Sequence, residues 1–270
     1  MLQQSDGRYG PWQLIEKSFV THIDGGTPNS NSNVLLYNDR GEDGISPQIA
    51  WVRIFNRSGS SMICGHGIRL SKPSWQAGQW THGTTTFTDD TTDFQDVGTG
   101  DAPLETTTNN DGFLVAAATP FNGISLLVST ASTGSPTRIL EYSIAGGAWA
   151  SVISPLKAYA STNLAVGEEL IVFSEPVDWE PMSSSHGTGV PVGKYGFRMR
   201  ATTAPTVAAV VTSITVHKLH VHSLALGSGG ASLTEYGGLY APMTGGDAVV
   251  AFQTVKAGPT IVQMLVRLRG

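Results

Sequence analysis

Apolar residues alternate with polar ones along most of the apolar runs of this chain, and this pattern constrains the fold more than any other feature. β-branched residues dominate these runs. Alternation places successive side chains on opposite faces of a strand, whereas the apolar face of a helix needs a period of 3.6 residues. The 32 glycines and 14 prolines are spread along the whole chain, as is typical of many short strands joined by tight turns. The sequence therefore predicts an all-β protein.

The pattern predicts strands at nine places. In one of them, residues 194–202, Phe197 and Met199 point to one face while Arg198 and Arg200 point to the other. This predicts one core face and one polar face. The predicted strands are 48–56, 112–118, 123–130, 138–143, 170–174, 194–202, 210–222, 248–255 and 260–269.

Two aromatic features are expected to close the core of a β-sandwich. Tyr142 and Trp149 flank a turn at 145–147, and large aromatic residues on neighbouring strands can cover one face of a sheet. Trp179 follows a stretch interrupted by proline. We expect Trp179 to fill one end of the core.

The strand that begins at residue 210 changes its pattern near its middle. Apolar residues switch parity after Val216, which predicts a bulge near His217 and Lys218. His220 and His222 share one face of a strand, but His217 could join them only through the bulge. Two histidines do not close a metal site. An outward polar face or a subunit contact is therefore favoured over a metal site.

The chain of 270 residues can hold one large β domain or two smaller ones, and two are predicted. The polar, turn-rich stretch GTGDAPLETTTNN, residues 98–110, marks the main boundary. We predict a β-rich amino-terminal domain at 1–108 and a jelly-roll-like β-sandwich at 109–222. Residues 223–270 are predicted to form a linker and extra carboxy-terminal strands that pack on a sheet or on a neighbouring subunit.

Composition excludes several classes of function. Only 14% of residues are charged, well below the roughly 25% of typical soluble domains, and such a surface suits packing against other subunits. A net charge of −5 offers no basic field for nucleic acid. No stretch approaches the ~18 apolar residues of a membrane span, and no signal peptide is recognisable. Cys64 is the only cysteine, which rules out an intrachain disulfide and a cysteine-based zinc site.

Six segments of the sequence carry a resemblance to a known class of protein. Four of them resemble a β-sandwich module that recurs in structural proteins of tailed bacteriophages. They are TPFNGISLLVSTAS (119–132), LEYSIAGGAWASV (140–152), FSEPVDWEP (173–181) and KYGFRMRATTAP (194–205). The other two, IFNRSGSSMICGHGIRL (54–70) and WTHGTTTFTDDTTDFQD (80–96), are similar to the amino-terminal parts of phage head-decoration proteins.

The resemblance implies a capsid decoration or cement protein, made in the host cytoplasm and bound to the outside of an icosahedral head. Such proteins are often trimers that clamp adjacent subunits of the major capsid protein. By this resemblance, residues 1–108 would hold the capsid and the sandwich would project or bridge. No cofactor is implied.

Candidate subunit contacts come from two strands. Alternate apolar residues in the last strand predict a core face, while Leu265, Arg267 and Arg269 are predicted to meet a neighbouring subunit. His220 and His222 are further candidates, on the face described above.

No enzymatic activity is predicted. The G-x-S-x-G turn that presents a nucleophilic serine is absent. Cys64 and His66 share a face of one strand, but a buried cysteine beside a satisfied histidine is favoured over a thiolate pair. Carboxylate pairs that could serve a glycosidase do occur, but spacing alone does not show that they face each other. They are Glu168 with Glu169 and Asp178 with Glu180.

Two binding functions remain as alternatives. The carboxylates of one polar loop, Asp89, Asp90, Asp93 and Asp96, are of the type that calcium prefers, although a solvated or capsid-facing loop is favoured. A sandwich on a tail fibre or spike could also stack aromatic residues against sugar rings. Core packing is favoured over sugar binding, because Trp51, Tyr142 and Trp149 lie in alternating patterns. The candidates are Trp75, Trp80, Trp149 and Trp179.

Overall fold

The structure is a computed structural model. It describes residues 12–20, 33–37, 48–56, 62–96, 98, 100–153, 163–224, 238–242, 247–253 and 259–267. Within these ranges, side chains are described between residues 67 and 221, except at 168.

Strands make up nearly all of the regular structure that is described, which confirms the predicted all-β class. The only α-helix among the described residues is α1 (Thr91–Gln95). No helix in the described ranges is long and apolar enough to cross a membrane. The strands are β1 (Trp12–Val20), β2 (Asn33–Tyr37), β3 (Gln48–Asn56), β4 (Met62–Arg69), β5 (Trp75–Thr81), β6 (Thr86–Asp89), β7 (Ala102–Pro103), β8 (Gly112–Ala117), β9 (Gly123–Thr130), β10 (Thr137–Ile144), β11 (Ala148–Ser151), β12 (Gly167–Val172), β13 (Tyr195–Thr203), β14 (Val210–Leu224), β15 (Gly238–Pro242), β16 (Asp247–Gln253) and β17 (Pro259–Arg267).

All nine predicted strands coincide with observed ones, with ends displaced by up to three residues at either side. They are β3, β8, β9, β10, β12, β13, β14, β16 and β17. The sequence did not predict the shorter or more polar strands, among them β5, β6 and β7.

The chain divides into two compact units. One combines Met1–Arg69 with Leu219–Gly270, and the other is Leu70–Lys218. In the first unit, one sheet has the order β1-β17-β3-β15, and β4, β16 and β2 pair in that order. This division differs from the predicted boundary at residue 108, because β5 pairs with β8 and β7 pairs with β14 across the polar stretch. The predicted boundaries of independently folding domains stay a prediction.

The Leu70–Lys218 unit is built like a sandwich of two antiparallel sheets. One sheet has six strands in the order β11-β10-β13-β8-β5-β6, and the other contains β12-β9-β14, with β7 also paired to β14. Side chains from both sheets form one buried core. The six-stranded sheet contributes Phe113 and Val115, and the other contributes Ile124, Leu126 and Ile214.

Aromatic rings fill one part of this core. Phe173 and Phe197 stack with ring centroids 4.9 Å apart. The Trp179 ring lies 5.1 Å from that of Phe121, and the indole Nε1 of Trp179 donates to the Gly196 carbonyl oxygen over 3.1 Å. Trp179 is therefore a core residue, as the sequence indicated, and its hydrogen bond satisfies the one polar atom it brings inside.

The expectation that Tyr142 and Trp149 cover the same face is wrong. Strand β10 pairs with β11 so that Tyr142 lies opposite Ala150 and Ser143 lies opposite Trp149. Residues directly opposite each other share a face, and neighbours along a strand do not. Tyr142 therefore packs in the main core, while Trp149 lies on the other face of the six-stranded sheet.

The bulge predicted near His217 is absent from the pairing of β14 with β9. That pairing is regular from Ile214 to His217, and its register shifts lie at 210–213. Val216 and His217 are both buried although they point to opposite faces, so buried residues of either parity fit in this part of the strand. The pairing with β9 ends at His217, and a bulge at Lys218 stays a prediction.

Gly112 provides a test of the register between β8 and β13. A Cβ added at Gly112 would collide with the Met199 carbonyl oxygen on the neighbouring strand. We expect Gly112→Ala to lower the free energy of unfolding by about 1–3 kcal/mol, because the backbone must move to admit the methyl group. Urea unfolding followed by circular dichroism measures this effect.

Gly83→Ala is the matched control, because a Cβ at Gly83 would meet nothing within 4 Å. The control should change the free energy of unfolding by less than about 0.5 kcal/mol. Equal effects of the two substitutions would contradict the described register.

Candidate functional site

The four tryptophans considered for sugar stacking do not form an exposed platform. Trp75, Trp80 and Trp179 are 2%, 1% and 6% exposed, and Trp149 is half-buried. A ring that stacks on a sugar must offer its face to solvent. These side chains instead pack in or against the two apolar cores of the Leu70–Lys218 unit.

A cluster of aromatic and charged side chains covers the face of the six-stranded sheet that points away from the main core. We call Trp80, Trp149, Arg198, Glu141 and Arg200 the outer cluster. The guanidinium carbon of Arg198 lies 4.8 Å from the Trp80 ring centroid and 4.2 Å from that of Trp149. The two indole rings are 5.8 Å apart in an edge-to-face arrangement. Arg198 therefore makes a cation–π contact with each ring.

Glu141 neutralises part of the positive charge of the outer cluster. Its Oε2 accepts hydrogen bonds from the Nε atoms of Arg198 and Arg200, each over 2.7 Å. Its Oε1 accepts from Nη2 of Arg200 over 3.0 Å, and Nη1 of Arg200 donates to Asn110. One carboxylate thus holds two arginines, and its hydrogen bonds leave it poorly suited to activate a substrate.

The pKa of Glu141 reflects two opposing effects. Burial alone would raise the pKa of this carboxyl group, but hydrogen bonds from Arg200 and Arg198 lower it below the ordinary 4.5. Burial also lowers the pKa of Arg198, against the opposite effect of Glu141. Glu141 is therefore a charged structural anchor at neutral pH and not a proton donor.

The residues after β12 fold over the outer cluster. Met182 and Val190 pack with Trp80, Phe87 and Leu114 in a second, smaller apolar core on this face. The sequence indicated a polar face here because Arg198 and Arg200 alternate with core residues. The arginines do lie on that face, but Arg198 is buried there because aromatic rings cover it.

A serine on β9 and a histidine on the neighbouring strand β14 lie together. Ser125 Oγ and His217 Nε2 are 2.9 Å apart, which is a nucleophile-to-base distance. Their exposed fractions are only 6% and 0%, so a substrate could not reach the hydroxyl oxygen in this arrangement. The sequence did not indicate this pair, because the two residues are 92 positions apart.

A second buried charge pair lies at the other end of β10. Arg138 Nε donates to Glu105 over 2.7 Å, and Arg138 Nη2 donates to the same carboxylate over 2.6 Å. Nη2 also donates to Ser132 Oγ, which accepts in turn from the Leu164 backbone. This bidentate pair is a structural clamp, and the alternation pattern gave no sign of it.

The histidines considered as metal ligands are not gathered into one site. His217 is buried beside Ser125, whereas His220 is exposed. The side chain of His222 lies outside the described residues. Among the described side chains, no three of the types His, Cys, Asp and Glu are placed to hold a metal ion.

The acidic loop of the calcium hypothesis forms α1 and its flanks. Asp89 accepts hydrogen bonds from Thr91 and Gln76, and Asp96 accepts from the Gly98 backbone. These bonds organise the loop locally. The calcium hypothesis itself stays untested.

Burial, followed by repulsion from Asp93, raises the pKa of Asp90 above its ordinary 3.8. The Asp93 carboxylate therefore lies close enough to disfavour the charge of Asp90.

Several predicted residues cannot be placed in a site. Leu265 and Arg267 lie on β17 and pair with β3 and β1, but their side chains are outside the described ones, as is the whole of Arg269. The same holds for the side chains of Cys64 and His66 on β4. Their predicted roles stay predictions.

The glycosidase carboxylates are described only in part. Glu169 is buried and accepts a hydrogen bond from the Ala165 backbone. Asp178 accepts one from the Tyr142 hydroxyl group over 2.8 Å. Each thus has a structural partner, and the side chain of Glu168 lies outside the described residues.

Replacing Arg198 tests how much the outer cluster contributes to the free energy of unfolding. We expect Arg198→Met to lower the free energy of unfolding by about 2 kcal/mol or more, because it removes two cation–π contacts and leaves Glu141 with one arginine. Lys218→Met is the control, since Lys218 forms a 3.2 Å ion pair with Glu175 that is well exposed to solvent. The control should cost less than about 1 kcal/mol. Comparable losses in denaturant unfolding would contradict a stabilising role for the cluster.

Neutralising Asp93 should stabilise the protein at neutral pH. The raised pKa of Asp90 means that its charge is disfavoured in the folded state, so the native protein gains stability as that carboxyl group becomes protonated on acidification. We expect Asp93→Asn to raise the melting temperature by about 1–3 °C at pH 7, and this gain should shrink as the pH falls towards about 4.

Asp178→Asn makes the same change of charge on another loop and should not show this pH dependence. If calcium raised the melting temperature of the wild type but not that of Asp93→Asn, the two carboxylates would instead form a cation site.

No protein-family model matches the chain, and no curated protein is similar to it in sequence. One solved structure with a likeness to the chain is chitosan-binding module 1 of a chitosanase/glucanase from Paenibacillus sp. IK-5. It is 13% identical with a TM-score of 0.30, and the match covers 53% of this chain and 92% of that one. Another is that of infectious bursal disease virus, Gx strain, at 8% identity and a TM-score of 0.14, covering 99% of this chain and 83% of that one. TM-scores this low carry no weight for fold or function.

Proposed function

We propose that this protein is a non-enzymatic structural component of a tailed-phage virion, and that it decorates the assembled capsid. One observation carries the proposal. In the Leu70–Lys218 unit, most of the side chains considered for sugar binding or catalysis take part in structural contacts, and many of them are buried. The four tryptophans, the Ser125–His217 pair and the Glu141 carboxylate all have such roles. The unit therefore has the properties of a rigid building block.

Low charge supports the same function. With 14% charged residues, the protein brings few charged groups that must be desolvated before a large contact can form. A decoration subunit that binds the assembled lattice, and not free coat protein, stabilises the shell by mass action. Interfaces of roughly 1,600 Å² suffice for such binding.

Exposed apolar side chains lie at both ends of the sandwich. Strand register places Ile153, Val166 and Val207 near the start of β10 and the end of β9. Val177 and Val192 lie at the opposite end, beyond the end of β12 and before the start of β13. Each of the five is more than two-fifths exposed. Apolar contacts at two ends suit a subunit that bridges neighbours on a lattice.

Reconstitution tests the proposal. The purified protein would be mixed with phage particles that lack it and imaged by electron cryomicroscopy. We expect density at repeated lattice positions on the shell, and a rise in the temperature at which the particles rupture. Density at one unique vertex, or no binding to particles, would contradict decoration of the capsid.

Two variants connect the binding to the sandwich ends. Val177→Asp and Val207→Asp should each weaken binding to particles by about tenfold, because a charge would have to be buried in an apolar contact. Thr84→Asp adds the same charge at an exposed polar turn and serves as the control. Specific binding to a host surface polysaccharide, with none to particles, would favour a receptor-binding role instead.

A further inference from the structure

Arg198 uses only part of its guanidinium group inside the outer cluster. Its Nε atom donates to Glu141 over 2.7 Å, while Nη1 and Nη2 donate to no residue that the structure describes. The edge that carries Nη1 and Nη2 presents two parallel N–H donors. Such an edge matches the two oxygen atoms of a carboxylate or a phosphate group.

The charged residues around Arg198 leave an excess of positive charge. Arg200 directs all three of its nitrogen atoms to acceptors, Nε and Nη2 to Glu141 and Nη1 to Asn110. Glu141 is the one carboxylate that pairs with the two arginines among the described side chains. Two positive charges and one negative charge leave one positive charge over, and a second anion would balance it.

Two further donors belong to the rings that flank this guanidinium group. The Nε1 atoms of Trp80 and Trp149 are buried and bond to none of the described residues. The guanidinium carbon of Arg198 lies 4.8 and 4.2 Å from the centroids of these rings. Native proteins pair the great majority of their buried donors, so unpaired donors beside a charged group indicate a place where a bound acceptor fits.

The free edge of Arg198 is open to solvent to a small extent. The side chain is 7% exposed, and its Nη atoms, unlike the two indole nitrogens, are not fully buried. A small anion can therefore reach this edge without removal of the aromatic rings. Because the surroundings are largely shielded from water, attraction between the anion and the guanidinium group is screened less than on an open surface.

We propose that the outer cluster binds an oxyanion, a carboxylate or a phosphate group, which accepts two parallel hydrogen bonds from Nη1 and Nη2 of Arg198. The indole N–H groups of Trp80 and Trp149 are the additional donors of this site. The oxyanion also supplies the negative charge that Glu141 alone does not provide. This site does not depend on the proposed function.

The indole N–H signals in NMR spectra test the site. Nitrogen-labelled protein would be titrated at neutral pH with sodium acetate and, separately, with sodium phosphate, while sodium chloride holds the ionic strength constant. We expect the Trp80 and Trp149 signals to shift and to reach saturation. The Trp179 signal should stay in place, because its N–H already donates to Gly196. The anion that binds more tightly identifies the class of ligand, whereas no saturable shift with either anion would overturn the proposal.

Two substitutions isolate the donors. Arg198→Lys keeps the positive charge and removes the paired donors, so it should weaken binding of the tighter anion by about tenfold or more. Trp149→Phe keeps an aromatic ring beside Arg198 and removes one N–H, so it should weaken binding by about fivefold. Wild-type affinity in either variant would contradict the proposed donors.

Two control variants exclude other causes of a loss of affinity. Trp75→Phe removes another buried indole N–H that bonds to none of the described residues, but this one lies in the main core. Lys218→Met removes a positive charge that is exposed to solvent. Both variants should bind the anion as the wild type does. A loss in Lys218→Met as large as that in Arg198→Lys would show attraction by the net charge alone and would reject the site.

Discussion

Two charges on one strand, Arg138 and Glu141 on β10, constrain much of the Leu70–Lys218 unit. Both side chains are buried, and a buried charge is tolerated only with a partner that satisfies it. Arg138 finds Glu105, from the segment between β7 and β8, while Glu141 finds Arg198 and Arg200 on β13. Because residues 138 and 141 point to opposite faces, β10 is held from both sides. A shift of its register by one residue would separate both pairs.

The alternation pattern predicts the parts of the fold that depend on the pleat of a strand. It located β8, β9 and β13 almost to the residue and assigned Phe197 and Met199 to the core. Trp179, which lies in a loop, was assigned to the core for another local reason, because it is a large aromatic residue after a stretch interrupted by proline. These successes share a cause: each depends on local sequence and on the burial of apolar surface, both of which are visible in a short window.

The sequence did not predict features that depend on contacts between distant residues. The rings that cover Arg198 on β13 come from two other strands, Trp80 on β5 and Trp149 on β11. The Ser125–His217 pair likewise joins strands that are far apart in sequence. Strands β5 to β7 were missed because threonine, glycine and short length weaken their pattern. Of the candidate site, sequence reasoning supplied Trp80 and Trp149 as candidates for sugar stacking, and it favoured core packing for Trp149. It could not supply the arginine that lies between the two.

The fixed position of one loop connects the fold to its proposed use. A subunit that adds to a preformed lattice loses translational and rotational freedom, and any loop that must also become ordered on binding adds a further entropic cost. Here, the loop that carries Val177 is already fixed by the core contacts of Trp179 and by the bond between Asp178 and Tyr142. The exposed Val177 at the tip of this loop can therefore contact a neighbouring subunit without the entropic cost of ordering the loop. With rigid ends of this kind, a small apolar contact area on each subunit, repeated over the lattice, can provide appreciable binding.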